Sequence, residues 1–138
     1  AVKKTNLLIG LLTSSLLFAL LHLGNPDIGV LPILNIALFG LFASLYLLRT
    51  DNVWGIIGLH TAWNFSQGNI YGFSVSGTGV DAAVLNFVPK SEWIWLTGGA
   101  FGAEASIFSS LILLMAVLYL LLKMKKDGSL TELVGKTQ

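Results

Sequence analysis

The sequence predicts an all-α fold, a polytopic membrane helix bundle with about four transmembrane helices. Charged residues make up 11% of the 138 residues, less than half of the share of about 25% that soluble domains carry. Mean hydropathy is +0.78. Four charge-free stretches are close to or longer than the roughly 20 residues that a helix needs to span a bilayer. They cover residues 5–26, 28–48, 52–80 and 105–122.

Turn residues divide these stretches into helices within one membrane domain, residues 1–122. Glycine and proline break the chain after the first helix, and Pro32 falls in the first turn of the second helix, where its missing N–H does little harm. A polar turn at 50–52 contains an N-cap candidate for the third helix. The predicted helices cover residues 7–23, 30–48, 53–67 and 106–122.

Two further segments differ in composition from the helices. Residues 68–104 are rich in glycine and contain Tyr71, Trp93 and Trp95. Tyrosine and tryptophan prefer the membrane–water boundary, so this composition predicts an interfacial loop. Residues 123–138 are polar and are predicted to form a cytoplasmic tail.

The distribution of basic residues predicts the orientation in the membrane, because cytoplasmic loops carry an excess of lysine and arginine. With four spans, Lys90 alone falls on the outer side. Both termini are therefore expected in the cytoplasm and the 68–104 loop outside. The basic residues on the cytoplasmic side are Lys3, Lys4, Arg49, Lys123, Lys125, Lys126 and Lys136.

Composition also excludes several function classes. The net charge is +1, and no basic patch interleaves with aromatic residues, so nucleic acid is not an expected partner. The chain contains no cysteine, which excludes disulfide scaffolds, thiolate metal sites and a cysteine nucleophile. The expected partner is the lipid bilayer itself.

The candidate site residues are His22, His60 and Asn64. His60 and Asn64 are four residues apart, so they share one face of a helix. His22 closes the first apolar segment, one turn after Phe18. Polar side chains inside lipid are costly, which makes each a functional candidate. The alternatives are a polar pair that binds helices together and, for His22, an interfacial histidine at a helix end.

Other polar and small residues have less specific interpretations. Asn35, Gly40 and Ser44 lie in the second helix, where small residues allow close helix packing. Glu104 precedes the last helix, where the helix dipole favours an acid. A catalytic interpretation of Glu104 is possible, but nothing in the sequence supplies it with a partner.

In order, two motifs resemble those of a known family. Phe18-Ala-Leu-Leu-His22 matches Phe-x-x-x-His, and His60-Thr-Ala-Trp-Asn64 matches His-x-x-x-Asn. On separate membrane helices they resemble motifs two and three of the CPBP family, the CAAX-protease and bacteriocin-processing (Abi) intramembrane proteases. The resemblance covers about residues 14–110 and includes the glycine-rich runs 72–79 and 96–102.

The first motif of that family, Glu-Glu-x-x-x-Arg, is absent. The sequence has one arginine, Arg49, and three glutamates, Glu92, Glu104 and Glu132, none of which is followed by a suitable arginine. In the family, the first glutamate of that motif is the expected catalytic base. We therefore expect this chain to be either the C-terminal part of a longer protein or a short, inactive relative.

The resemblance implies hydrolysis of a peptide bond in a membrane-associated peptide or a prenylated protein, in the plasma membrane of a bacterium. It implies that His22 helps to bind water or a metal ion, and that His60 and Asn64 face the oxyanion or complete the ligand set. Two histidines and one carboxylate would suit zinc, with His22 and His60 as ligands, although a metal-free mechanism stays open. Asparagine suits an oxyanion role better, since its amide is not a usual zinc ligand.

Two non-enzymatic classes compete with the protease. The chain could be a membrane scaffold or an immunity-type binding protein with the same fold and no chemistry. A small transporter subunit would require carboxylates within the membrane. No acid lies inside the four predicted helices, which counts against the transporter.

Overall fold

The structure, a computed structural model, describes residues 4–90 and 92–131. The predicted all-α class is confirmed for these residues, whose only β feature is an isolated bridge between Val75 and Thr78. Five α-helices lie wholly within the described residues, joined by short turns and one long connection. They are α1 (Lys4–Leu20), α2 (Val30–Thr50), α3 (Val53–Phe65), α4 (Ile94–Thr97) and α5 (Ile107–Lys126).

Helix α2 is the centre of the bundle, with α1 and α5 packed against it. A glycine permits the contact with α1, because a Cβ on Gly40 would lie 3.0 Å from the Cα of Ser15. In the next turn the hydroxyls of Ser14 and Ser44 form a hydrogen bond of 2.7 Å. These contacts agree with the predicted role of Gly40 and Ser44 in helix packing.

Two small apolar clusters lie on the two ends of α2. The first joins α1 and α2 to the segment before α5, and the second joins α2 to α5. Their buried members are Ala19, Ile36, Phe101 and Ala105, and Leu45, Val117, Leu120 and Met124.

Two helices, Val30–Thr50 and Ile107–Lys126, are long and apolar enough to cross a membrane, judged by length and composition over the described residues. A third, shorter apolar helix covers Asn6–Leu20. Large apolar side chains cover the outside of the bundle, among them Leu16, Met115 and Leu118, each more than half exposed. Such a surface suits lipid better than water. The predicted count of four spans is not confirmed.

Helix ends differ from the predicted ones in ways that change where the site residues lie. Helix α1 ends at Leu20 rather than at residue 23, so His22 lies in the turn that follows. The α-helical part of α3 ends at Phe65, and the chain continues as a π-helical turn over Ser66–Ile70. Helix α5 passes residue 122 and ends at Lys126, within the predicted tail. Residues 132–138 of that tail lie outside the described part.

The 68–104 segment, predicted as an interfacial loop, contains short regular elements. It includes α4 and two 3₁₀ turns, Gly99–Phe101 and Ala103–Ala105, the second of which ends one residue beyond the segment. Phe101 is only 2% exposed and belongs to the core, while Trp93 is 62% exposed. Composition alone could not separate a buried aromatic from an exposed one. The φ of +114° at Gly102 lets the chain turn inward after Phe101.

Candidate functional site

A cavity of about 260 Å³ opens between α2, α3, α5 and the turn after α1. Aromatic and aliphatic side chains form most of its wall, including Phe18, Phe39 and Trp63. The titratable groups that line it, among the described residues, are His22, His60 and Glu104. A mostly apolar pocket with a few converging acid–base groups is the usual form of an enzyme site.

His22 has a hydrogen bond that determines which ring nitrogen carries a proton. Its Nδ1 lies 2.7 Å from the backbone oxygen of Phe18. A carbonyl oxygen can only accept, so Nδ1 must donate, and a neutral His22 then keeps the lone pair on Nε2. The Phe18 ring lies 4.7 Å from the imidazole, centroid to centroid, and limits its rotation. The Nε2 atom can therefore bind a metal ion or accept a proton from water.

His60 reaches the same cavity from α3 and is positioned by aromatic rings. Its imidazole centroid lies 5.0 Å from that of Phe39 on α2 and 5.9 Å from that of Phe18 on α1. The described residues offer the ring no hydrogen bond, and it is half-buried. Phe18 thus contacts both imidazoles, which gives a physical reason for the Phe-x-x-x-His spacing.

The structure brings two of the three predicted site residues together. His22 and His60 line one cavity. Asn64 does not line it. Its side-chain oxygen is enclosed by protein and has no hydrogen-bond partner among the described residues. That oxygen could accept a hydrogen bond from a group outside the described part or from water.

Glu104 and Ser76 belong to the cavity wall. Sequence reasoning left a catalytic role for Glu104 open and gave Ser76 none. Oε1 of Glu104 accepts hydrogen bonds from the backbone N–H of Ser76 and, at 2.7 Å, from its hydroxyl. The one sequence signal for Glu104 was its position before the start of a helix. That position does not reveal its hydrogen bonds with Ser76.

A metal ion fits this arrangement incompletely. His22 has the typical geometry of a metal-binding histidine, with its other nitrogen bonded to a carbonyl. A catalytic zinc site, however, needs three protein ligands. The described residues contain no group of three histidine, cysteine or acidic side chains placed to enclose a metal ion. The metal site at His22 and His60 stays a prediction, and no step below depends on it.

Comparison with known proteins gives one family similarity, over the first part of the chain. A family model described as a type II CAAX prenyl endopeptidase, Rce1-like, matches residues 1–66. No curated protein and no solved structure matches the chain. The matched range includes both motifs, residues 18–22 and 60–64. This match supports the assignment of the chain to the CPBP/CAAX protease family.

Proposed function

We propose that this chain forms the catalytic cavity of an intramembrane endopeptidase, which hydrolyses a peptide bond in a membrane-associated peptide or a prenylated protein. At family level, the match indicates a CAAX-type intramembrane protease. The family and the two apolar helices also indicate an integral membrane protein. The finer assignment rests on one observation, that two imidazoles distant in sequence line a single apolar cavity.

The two histidines have different roles in this proposal. The Nε2 lone pair of His22 accepts a hydrogen bond from the attacking water and orients it. His60 donates a hydrogen bond to the oxygen that becomes negative when water adds to the peptide carbonyl. Such bonds are stronger beside the mostly apolar wall of the cavity than they would be in bulk water. The apolar wall also suits a substrate with a lipid-like or apolar flanking group.

The proposal also includes a metal ion, a role for Asn64 and the orientation in the membrane. A divalent metal ion such as zinc would take His22 and His60 as ligands. Asn64 would contribute to the oxyanion site through its amide, after a movement of α3 toward the cavity. The termini would lie in the cytoplasm of a bacterial cell, as the basic residues predict.

The test uses the natural full-length protein, purified in detergent, with a quenched fluorescent prenylated CAAX peptide. Loss of a base or an oxyanion donor lowers kcat by about 10²-fold or more. We expect that loss for His22→Ala and His60→Ala, with the thermal midpoint retained. Cleavage by either folded variant at the wild-type rate excludes the role given to that histidine. The same assay after chelation and metal replacement tests the metal.

A non-catalytic binding protein is the second candidate, because the mostly apolar wall of the cavity could hold a prenyl group without any reaction. It would bind the prenylated peptide in the cavity and leave it intact. Fluorescence anisotropy of a labelled peptide measures binding, and the cleavage assay measures turnover. Binding without turnover by the natural full-length protein would favour this candidate over the protease.

A further inference from the structure

We propose that the gap between α3 and α5 is the entrance through which the hydrocarbon chain of the substrate passes from the bilayer into the cavity. The inference rests on the proposed function and names the route to that site. Three of the residues that line the cavity are exposed on the outside of the bundle, namely Leu59 at 48%, Trp63 at 43% and Ile112 at 55%. The other lining residues are buried or half-buried. These three side chains, all aliphatic or aromatic, therefore define the opening of the cavity.

The three residues of the opening lie on two helices that do not close against each other. Leu59 and Trp63 are four residues apart, so they lie on the same face of α3. Ile112 lies on α5. Helix α5 packs against α2, whereas α3 packs against α2 and the π-helical turn that follows it, with no extensive contact to α5. None of the 13 residues of α3 is buried. The described residues thus leave the cavity uncovered between these two helices.

The opening lies at nearly the same height in the bundle as the His60 imidazole. The hydroxyl of Ser110 donates to Asn35 at 2.6 Å, which aligns α5 with α2. The two helices run in the same direction, because later residues of both meet again in the second apolar cluster. His60 contacts Phe39, four residues beyond Asn35, and Ile112 lies two residues beyond Ser110. At about 1.5 Å per residue, the two heights differ by about 3 Å. A chain that enters beside Ile112 therefore reaches the level of His60 directly.

The wall of the cavity changes from polar to apolar along α2 and α5, which suits a peptide attached to a hydrocarbon chain. Near the start of the two helices the wall contains Asn35 and Ser109. Seven residues later on each helix it contains Phe42 and Ala116 instead. Seven residues correspond to about 10 Å of helix, a length that holds several carbon–carbon bonds. The peptide group would lie toward the polar end, and the hydrocarbon chain would lie in the apolar end and the opening.

The competing explanation is that the three residues of the opening only face lipid, as many other side chains of the bundle do. Met115 supplies the comparison, because it lies on the same helix as Ile112, is 63% exposed and does not line the cavity. A larger side chain at position 112 narrows the opening, whereas a larger side chain at position 115 only adds area to the lipid-facing surface. Lipid exposure alone therefore predicts the same result for both substitutions, and an entrance predicts a difference.

The experiment uses the natural full-length protein in proteoliposomes and a farnesylated CAAX peptide whose scissile bond is replaced by a reduced bond that cannot be hydrolysed. Binding of this probe requires no chemistry. For Ile112→Trp we expect the affinity for the probe to fall about tenfold or more, as for a changed fit in an apolar pocket. The matched control, Met115→Trp, should bind the probe like the wild type. The same peptide without the farnesyl group should not distinguish the two variants.

A fluorescent label provides a second measurement that does not depend on the stability of I112W. This chain contains no cysteine, so Ile112→Cys and Met115→Cys each introduce one position in it for an environment-sensitive label. Addition of the farnesylated probe should shift the emission of the label at position 112 and leave the emission at position 115 unchanged. Cleavage of the hydrolysable farnesylated peptide is measured in parallel for the wild type, I112W and M115W.

Two results would overturn the proposal. One is a folded I112W protein that binds the farnesylated probe as tightly as M115W does. The other is a label at position 112 whose emission the probe leaves unchanged, the result expected if bilayer lipid fills the opening instead. Failure of the proposed function gives a different pattern. If the wild type binds the probe through the opening but cleaves nothing, the entrance stands and the protease falls. If the wild type cleaves and I112W behaves like M115W, the protease stands and the entrance falls.

Discussion

Our most demanding prediction about stability concerns the substitution of Asn35. It is 3% exposed, in the middle of the bundle. Its amide N–H groups donate to the backbone oxygens of Glu104 at 2.8 Å and Ser106 at 3.0 Å. Its oxygen accepts from the hydroxyl of Ser110 at 2.6 Å. All three bonds join α2 to α5 or to the turn before it, and Asn35→Ala removes them together.

The expected loss of unfolding free energy in N35A follows from the number of hydrogen bonds removed. Hydrogen bonds between membrane helices contribute on average about 0.6 kcal/mol each, and those in soluble proteins about 1 kcal/mol. Three bonds give about 2 to 3 kcal/mol of lost unfolding free energy, before any penalty for stranded carbonyls. Ser110→Ala removes one bond, and its expected loss is about 0.6 to 1 kcal/mol.

The assay is reversible unfolding in mixed micelles, with N35A, S110A and the double variant compared with wild type. Removing the Ser110 hydroxyl from N35A should cost less than removing it from wild type, because its main acceptor is already gone. The hydroxyl retains a weaker acceptor, the Ser106 oxygen at 3.4 Å. An N35A loss no larger than that of S110A would refute the three-bond account.

Two further predictions concern a glycine and an ion pair. Gly102→Ala should cost more than about 2 kcal/mol, because φ is +114° and the new Cβ would overlap a backbone oxygen of the neighbouring loop. The control Gly58→Ala, with open space around it, should be neutral or stabilising in the same unfolding assay. Hydrogen bonds from Ser129 and Arg49 lower the pKa of Asp127 from 3.8 to about 2. Its stabilising effect should be complete above the unfolded value and disappear as pH falls toward 2. The unfolding free energy of D127N should change less over that acidic range than that of the wild type. Identical pH profiles for the two proteins would contradict the stabilising role given to ionised Asp127.

The fold class was predictable because its signals are local. Charge-free stretches of helical length and a proline near a helix start need no knowledge of tertiary contacts. Helix ends were less accurate. His22 lies beyond α1, where turn hydrogen bonds such as His22 N–H to the Ala19 oxygen, 3.0 Å, replace the helical ones. Apolar composition does not change at that point, so hydropathy cannot locate it.

The cavity was only partly predictable. The spacing of His60 and Asn64 predicted a shared helix face, yet His60 alone lines the cavity. Residues four apart are offset along the axis by about 6 Å, enough to put one inside a small cavity and the other beyond its edge. Phe101 falls within the segment predicted as an interfacial loop, and it lies in the core. Its direction depends on the backbone turn at Gly102, which composition does not specify.

The cavity groups differ in what determines their positions, and this limits what motifs can say about activity. His22 is oriented by a carbonyl four residues earlier, so a short motif includes everything that it needs. His60 depends on rings from two other helices. Glu104 depends on Ser76, 28 residues away, and on Asn35, 69 residues away. A short sequence motif includes a restraint from a residue four positions away, as for His22, but not restraints from distant residues, as for Glu104. A relative that keeps both histidine motifs but loses Asn35 or Ser76 would retain the imidazoles without a positioned carboxylate. Shared motifs would then indicate a shared fold more reliably than a shared reaction.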